Sequence, residues 1–160
     1  VVLDPQITEE VEVIVNIDDG QLSIGDKRNA LLEMATGDYI AFVDDDDMVR
    51  TNYVRCILEA IQQNPDCVGI EGVITFNGNM QQGRKFIHSL QYRSWFEKDG
   101  VYYRNPNHLS PVKREHALKV KFPSKNHGED HDYSTALLPF LNTEVYIKGP
   151  IYHYDYREIK

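Results

Sequence analysis

Apolar and polar positions alternate from Val11 to Ile17, and β-branched side chains dominate that run. The pattern fits a strand with two faces, and it stops at Asp18-Asp19-Gly20, a turn signal. Ser23 then stands three residues before Asp26, an approximate capping box. Ala30, Leu31, Met34 and Ala35 recur at helical spacing until Gly37, which predicts a helix from Ile24 to Thr36. Asp38 to Val43 is a short apolar run of the kind buried on both faces. Strand, helix and strand in that order imply a right-handed crossover into a parallel sheet. Asp44-Asp45-Asp46-Asp47 would therefore leave the sheet at a strand's carboxyl end.

Thr51 is the expected cap of a second helix with Val54, Ile57, Leu58 and Ile61 on one face, and Asn64-Pro65 ends it. Cys67 to Phe76 reads as a third strand. From Asn77 to Arg104 the pattern turns antiparallel, with turns at Asn77-Gly78-Asn79 and Lys98-Asp99-Gly100. Ser110-Pro111 should open a short helix. Glu129 to Leu141 should form another, with Tyr133, Leu137 and Leu138 facing inward. A last strand, Glu144 to Ile147, leads to an aromatic tail from Ile151 to Tyr156. The expected class is α/β, a mixed sheet flanked by helices, and no repeat or linker divides the 160 residues.

Composition changes this picture little: hydrophobic residues make up 41% and charged residues 26%, as in soluble globular domains. The net charge of −8 and the lack of a Lys/Arg stripe argue against nucleic acid as a partner. Cys56 and Cys67 lack the spacing of a zinc site or a disulfide framework, and read as buried thiols in a reducing, cytoplasmic setting. No apolar run reaches the roughly 20 residues needed for a membrane span, and no targeting pattern opens the chain, so a soluble protein is expected.

Four consecutive aspartates after a buried strand raise one another's pKa unless a cation lies among them. Hard oxygen ligands suit Mg²⁺ or Mn²⁺, which take one or two protein carboxylates and complete their shells with water and phosphate. The competing reading is a solvated acidic loop. Position favours a site, because open α/β sheets bind ligands beyond the carboxyl ends of strands.

The ordered set Ile17-Asp18-Asp19-Gly20, Gly25-Asp26-Lys27-Arg28-Asn29 and Ala35 to Asp47 resembles family 2 of the GT-A-fold glycosyltransferases, which have a Rossmann-like mixed sheet. The resemblance implies a DxD-type motif on Asp44 and Asp46. Asp46 would be the foremost metal ligand and Asp44 would contact sugar or ribose or share the metal, with the register ambiguous by one and Asp45 and Asp47 as substitutes. It also implies that Asp18 or Asp19 recognises the base, uracil in a UDP-sugar; the alternative is a turn-forming Asp-Asp-Gly. Lys27, Arg28 and Asn29 would face the nucleotide or lie in solvent.

His127-Gly128-Glu129-Asp130-His131-Asp132 resembles the family's Glu-Asp motif, with Asp130 as catalytic base; alternatively both acids simply favour a helix N-terminus. His127 and His131 are four apart, as in H-E-x-x-H hydrolases. Glutamate at the third position and Gly128 between the histidines break that match. His153 is a further metal-ligand candidate, set against a packed role among tyrosines. Trp95, His108 and Glu129 are acceptor-side candidates in an antiparallel acceptor region. Enzymes of this family begin with a strand and helix ahead of the position of Val11, so the expectation is a domain over residues 1–160 without its usual first strand. The implied activity is inverting transfer from a nucleotide-diphosphate sugar to a carbohydrate or other hydroxyl acceptor. The alternative is a non-catalytic binding domain of the same fold.

Overall fold

The computed structural model describes residues 3–157. After a 3-10 turn at Asp4–Gln6 come α1 (Ile24–Met34), β1 (Tyr39–Ile40), β2 (Met48–Val49), α2 (Tyr53–Ile61), β3 (Cys67–Phe76) and β4 (Asn79–His88). They are followed by β5 (Phe96–Lys98), β6 (Val101–Arg104), β7 (Val112–Lys113), α3 (Arg114–Ala117), α4 (Glu129–Leu137), a 3-10 turn at Leu138–Phe140 and β8 (Glu144–Tyr156).

The hub is β3, whose near-continuous apolar run is buried on both faces. Along one edge it pairs in parallel with β8, from Cys67 opposite Glu144 to Phe76 opposite Tyr156. Along the other it meets β7 at Cys67 and then β4, antiparallel, from Ile70. The far edge of β8 carries β2, with Met48 opposite His153. β4 pairs in parallel with β6, which forms a hairpin with β5. Val68, Ile70 and Ile74 of β3 pack with Val54 and Ala60 of α2 and with Tyr152. A second cluster joins Cys67, Phe122, Tyr133 and Leu137, where Phe122 and Tyr133 stack at 3.9 Å. Each such side chain removed from water contributes roughly 1.5–3 kcal/mol before entropy is charged against it.

Several expectations are corrected. Residues 11–17 carry no ladder among the described residues; Val13, Val15 and Ile17 are 48%, 70% and 89% exposed. The segment is anchored through Glu12, which accepts from the Thr36 N–H and hydroxyl at 2.9 and 3.1 Å. A cleft of about 1830 Å³ separates it from residues 38–46. β-branched alternation expresses a fit to a pleated neighbour rather than a backbone preference, and here no neighbour is present. The crossover strand shrinks to Tyr39–Ile40, antiparallel to β7, so the parallel pairing comes from β3 with β8 and from β4 with β6. Pro111 precedes β7 instead of opening a helix, and the short helix starts at Arg114. Thr51 is not the cap of α2: Asn52 holds that position, and its amide turns to Cys56 Sγ. The final strand takes in the aromatic tail, because its pairing with β3 resumes past the irregularity at Gly149-Pro150.

Candidate functional site

The aspartates leave residues 41–43 in a tight turn in which the Asp47 N–H donates to the Asp44 carbonyl at 3.1 Å. The turn gives each carboxylate a different environment. Asp47 is 1% exposed and accepts from the Tyr152 hydroxyl at 2.7 Å and from the Asp155 N–H at 3.1 Å. Burial pushes its pKa up to about 7, helped by the charges of Asp44 and Asp46 and opposed by those two hydrogen bonds. Asp47 therefore pins the turn to β8 and is not available as a ligand. Asp45 and Asp46 lie exposed at the tip. Partial desolvation and then the charges of Asp44 and Asp45 raise Asp46 above the usual carboxylate range.

Asp44 faces inward, where Arg28 Nη2 donates to both its oxygens at 2.9 and 3.1 Å. His108 Nε2 stands 3.5 Å from Asp44 Oδ2, at the limit of a hydrogen bond. Burial would raise the Asp44 carboxyl, but His108 and Arg28 override it and hold it well below the usual range. Arg28 is 7% exposed and also donates to Glu129 Oε1 at 2.6 Å. One guanidinium thus bolts the aspartate turn to the first turn of α4. Arg28 sits there because Ser23 caps α1 at the Asp26 N–H and because Gly25 lets the helix start press on the 122–125 loop.

Gly128, at φ 74°, starts α4. That places His127 ahead of the helix and His131 within it, so the two histidines do not share a helical face. Glu129 is 6% exposed and engaged by Arg28, which makes it an inward anchor instead of an acceptor-side group. Asp130 is half-buried; its Oδ1 accepts from the His131 N–H at 2.8 Å. Its charge acts on Arg28, Arg104 and Tyr154, but it does not itself line the cleft.

The other candidates divide. Asp18 is half-buried and tied to its own turn, accepting from the Leu22 N–H at 2.9 Å and pairing with Lys27 Nζ at 2.9 Å, whereas Asp19 is exposed. Lys27 and Arg28 line the cleft. Asn29 does not reach it: its amide exchanges two hydrogen bonds of 2.9 Å with the Phe122 backbone and so fastens α1 to the following loop. His153 points from β8 to the face opposite Tyr152 and Tyr154 and lies 2.9 Å from Thr75 Oγ1, and among the described residues it joins no cluster of three or more metal-ligating side chains. Trp95 Nε1 lies 3.4 Å from Ser134 Oγ, and the ring packs edge-on to His131.

Three residues of the site were missed in sequence. Tyr152 holds Asp47 and accepts from the Asp44 N–H at 3.3 Å. Tyr154 has its hydroxyl raised to about 12 by burial and by the charges of Asp47, Asp44, Asp46 and Asp130. Arg104 lies over the Trp95 ring at 4.1 Å. The only sequence signal was the alternation Tyr152-His153-Tyr154, which puts both tyrosines on one face of a strand.

Asp46 is an exposed hard-oxygen donor with no hydrogen bond or ion pair to another side chain among the described residues, and Asp44 stands close by in the same turn, so the residues fit Mg²⁺ or Mn²⁺. Among the described residues no three His, Cys, Asp or Glu side chains converge. The protein would supply one or two ligands and a bound diphosphate the remainder.

Among known proteins, the profile of Glycosyl transferase family 2 matches residues 6–120. The putative glycosyltransferase EpsH of Bacillus subtilis (strain 168) is 24% identical over 168 residues, an alignment covering 94% of this chain and 48% of that protein. Glucosyl-dolichyl phosphate glucuronosyltransferase of Haloferax volcanii is 27% identical over 63 residues, 39% of this chain and 20% of the relative. The chain thus spans about half the length of the first relative and less of the second. Among solved structures, S. aureus TarS 1-349 in complex with UDP-GlcNAc superposes with a TM-score of 0.62 at 14% identity, covering 92% of this chain and 43% of that one. The same protein described without ligand gives 0.59 at 15% identity, covering 88% and 42%. No helix among the described residues is long and apolar enough to cross a membrane. With an acidic turn bolted to a Glu-Asp helix start, a family profile over most of its length and this structural likeness, the chain belongs to glycosyl transferase family 2 and has the GT-A fold.

Proposed function

We propose that this chain forms the donor-binding and catalytic region of an inverting glycosyltransferase that transfers a sugar from a nucleoside-diphosphate sugar, a UDP-sugar, to a hydroxyl acceptor. The observation that carries the reading is the double engagement of Arg28 by Asp44 and Glu129, which ties the carboxylate turn to the helix start that carries Asp130. TarS, a structural neighbour, is described with UDP-GlcNAc and with UDP, which supports a uridine donor.

On this reading Asp46, with Asp44, holds Mn²⁺ or Mg²⁺, which when bound supplies Lewis-acid neutralisation of the leaving diphosphate. Asp19, or Asp18 once released from its turn, accepts an N–H from the base, and Lys27 adds positive charge on the diphosphate side. Arg28 keeps Asp44 ionised and oriented toward the sugar or ribose. Asp130 takes the proton from the acceptor hydroxyl as that oxygen attacks the anomeric carbon on the face opposite the departing nucleoside diphosphate. One base suffices for a single displacement with inversion.

The test uses UDP-sugars with water as the acceptor, reading UDP release and the anomeric configuration of the freed sugar. Asp130→Asn should slow release by about a hundred- to ten-thousand-fold with donor affinity unchanged. Asp46→Ala should abolish the extra thermal stabilisation that UDP gives in Mn²⁺ over chelator. Full activity in Asp130→Asn sinks the base assignment; equal UDP affinity in chelator and in Mn²⁺ sinks the metal bridge. Donor binding with no turnover in the parent chain would favour a binding domain instead.

A further inference from the structure

In a chain of net charge −8, Lys27 is engaged by Asp18, and Arg28 by Asp44 and Glu129. Arg104 differs. It ends β6, is half-buried, and among the described residues its guanidinium makes no hydrogen bond and no ion pair. Its contacts are aromatic: it lies 4.1 Å from the centre of the Trp95 ring and 5.9 Å from that of Tyr102. Trp95 is held by His131 at 4.9 Å edge-on and by Ser134, both on α4 just past Asp130.

A guanidinium stacked on an indole uses its flat face and leaves its N–H groups in the plane around the edge. None of those nitrogens is a sealed, unsatisfied donor, so they are open to water and to a ligand. Burial pushes the Arg104 pKa down, and the charges of Asp130 and Tyr154 offset this only in part. A half-desolvated cation with no carboxylate in contact is costly unless an anion completes it. Planar guanidinium edges match phosphate and carboxylate oxygens in bidentate fashion.

We infer that Arg104, stacked on Trp95, is an oxyanion subsite for the acceptor, so that the hydroxyl compound glycosylated by this chain carries a phosphate or carboxylate group. The assignment to the acceptor rests on Asp130 being the base; the anion site itself does not. Arg28 holds the aspartate turn, whereas Arg104 stands on Trp95, which is itself held by α4. An anion seated there would bring an attached hydroxyl toward Asp130.

Trp95 is the one tryptophan in the sequence, so its fluorescence reports directly on the stack. The intact chain is titrated at constant ionic strength with glucose 6-phosphate, glucuronate and neutral glucose. A saturable emission change is expected with one or both anions and not with glucose. Phosphate alone, carboxylate alone, or both as effective probes would each support the site and name its chemistry. Arg104→Met should weaken the anion at least about tenfold, the loss of one charge-assisted contact, and Arg104→Lys should recover part of it. Arg93→Gln, an exposed neighbour in the sequence, should leave the titration unchanged. UDP binding in Mn²⁺ should persist in Arg104→Met, and anion binding should persist in Asp46→Ala. Absence of an Arg104-dependent signal with either anion overturns the site. Competition between UDP and glucose 6-phosphate overturns its assignment to the acceptor. If Asp130→Asn keeps full activity while the Arg104-dependent signal stands, the base reading fails and the anion site survives.

Discussion

Four neighbouring aspartates carry one formal charge each, yet their surroundings separate them into a ligand candidate, an anchored partner of arginine and a buried clamp. The clamp is testable through Tyr152, whose hydroxyl donates to Asp47 and accepts from the Asp44 N–H. Tyr152→Phe leaves a buried carboxylate short of a donor, and should cost about 1–3 kcal/mol in urea denaturation. Affinity for UDP in Mn²⁺ should fall with it, because the turn that presents Asp46 is no longer tied to β8. Tyr53→Phe is the control: the Tyr53 hydroxyl is buried without a hydrogen-bond partner among the described residues, so its removal should be neutral or slightly stabilising. Equal losses in the two variants would show that the hydrogen bonds of the Tyr152 hydroxyl to the turn are not what stabilises it. Sequence reading ranked the DxD pair over Asp45 and Asp47, and local pattern carried that far. It left Asp47 as a substitute ligand because the tyrosine that buries it stands 105 residues away.

At the scale of elements, α1 matters for where it starts. The Gly25 N–H donates to the Lys125 carbonyl at 3.2 Å, the Ile24 N–H to Asn126 Oδ1 at 2.9 Å, and Asn29 grips the Phe122 backbone. A Cβ at Gly25 would fall 1.9 Å from the Pro123 carbonyl oxygen, a backbone atom that cannot swing aside. Gly25→Ala should therefore lift α1 off the loop and cost about 1–3 kcal/mol, as overpacking does. UDP affinity should fall in parallel as Lys27 and Arg28 shift, a loss that calorimetry would read directly. A normal melting temperature in this variant would mean that the loop, not the helix, yields. The helical spacing and the Ser23 cap were legible in sequence, and the helix begins at Ile24 as they indicate. That residues 11–17 form no strand was not legible in the same way. Alternation tells which side chains would share a face, but not whether a neighbouring strand is present to cover them.

Across the whole molecule, Asp66 ties three segments together ahead of β3. Its Oδ2 accepts from the Asn142 and Thr143 N–H groups at 2.8 and 3.0 Å, and its Oδ1 faces His116 Nε2 at 3.1 Å and Lys113 Nζ at 3.5 Å. Burial would raise this carboxyl, but the Asn142 N–H, His116 and the Thr143 N–H override it and hold it well below the ordinary range. A depressed carboxylate contributes stability that is full above the unfolded pKa near 3.8 and is lost as pH falls from there toward the folded value. Asp66→Asn should therefore be less stable than the parent by about 1–3 kcal/mol at neutral pH, with the gap narrowing below about pH 4. Urea denaturation at pH 7, 5, 4 and 3 reads this, and a gap that stays constant would place the effect in packing instead of charge.

Periodicity and punctuation in the sequence determined α1, α2 and β3, the turn signals that bend the chain, and the place of an acidic cluster after residues 41–43. Those features depend on side chains a few positions apart, so a local window contains their cause. The tertiary structure alone decided that Arg28 bridges Asp44 and Glu129, 101 residues apart in the case of Glu129, that Asn29 turns away from the cleft, and that the final strand runs on to Tyr156. It also decided that Arg104 stands on Trp95 with no carboxylate in contact among the described residues. Each of these follows from the register in which β3 pairs with β4 and β8, and from how the 122–125 loop seats α1. Such pairings depend on shape and burial between distant segments, and no pattern along the chain encodes them position by position.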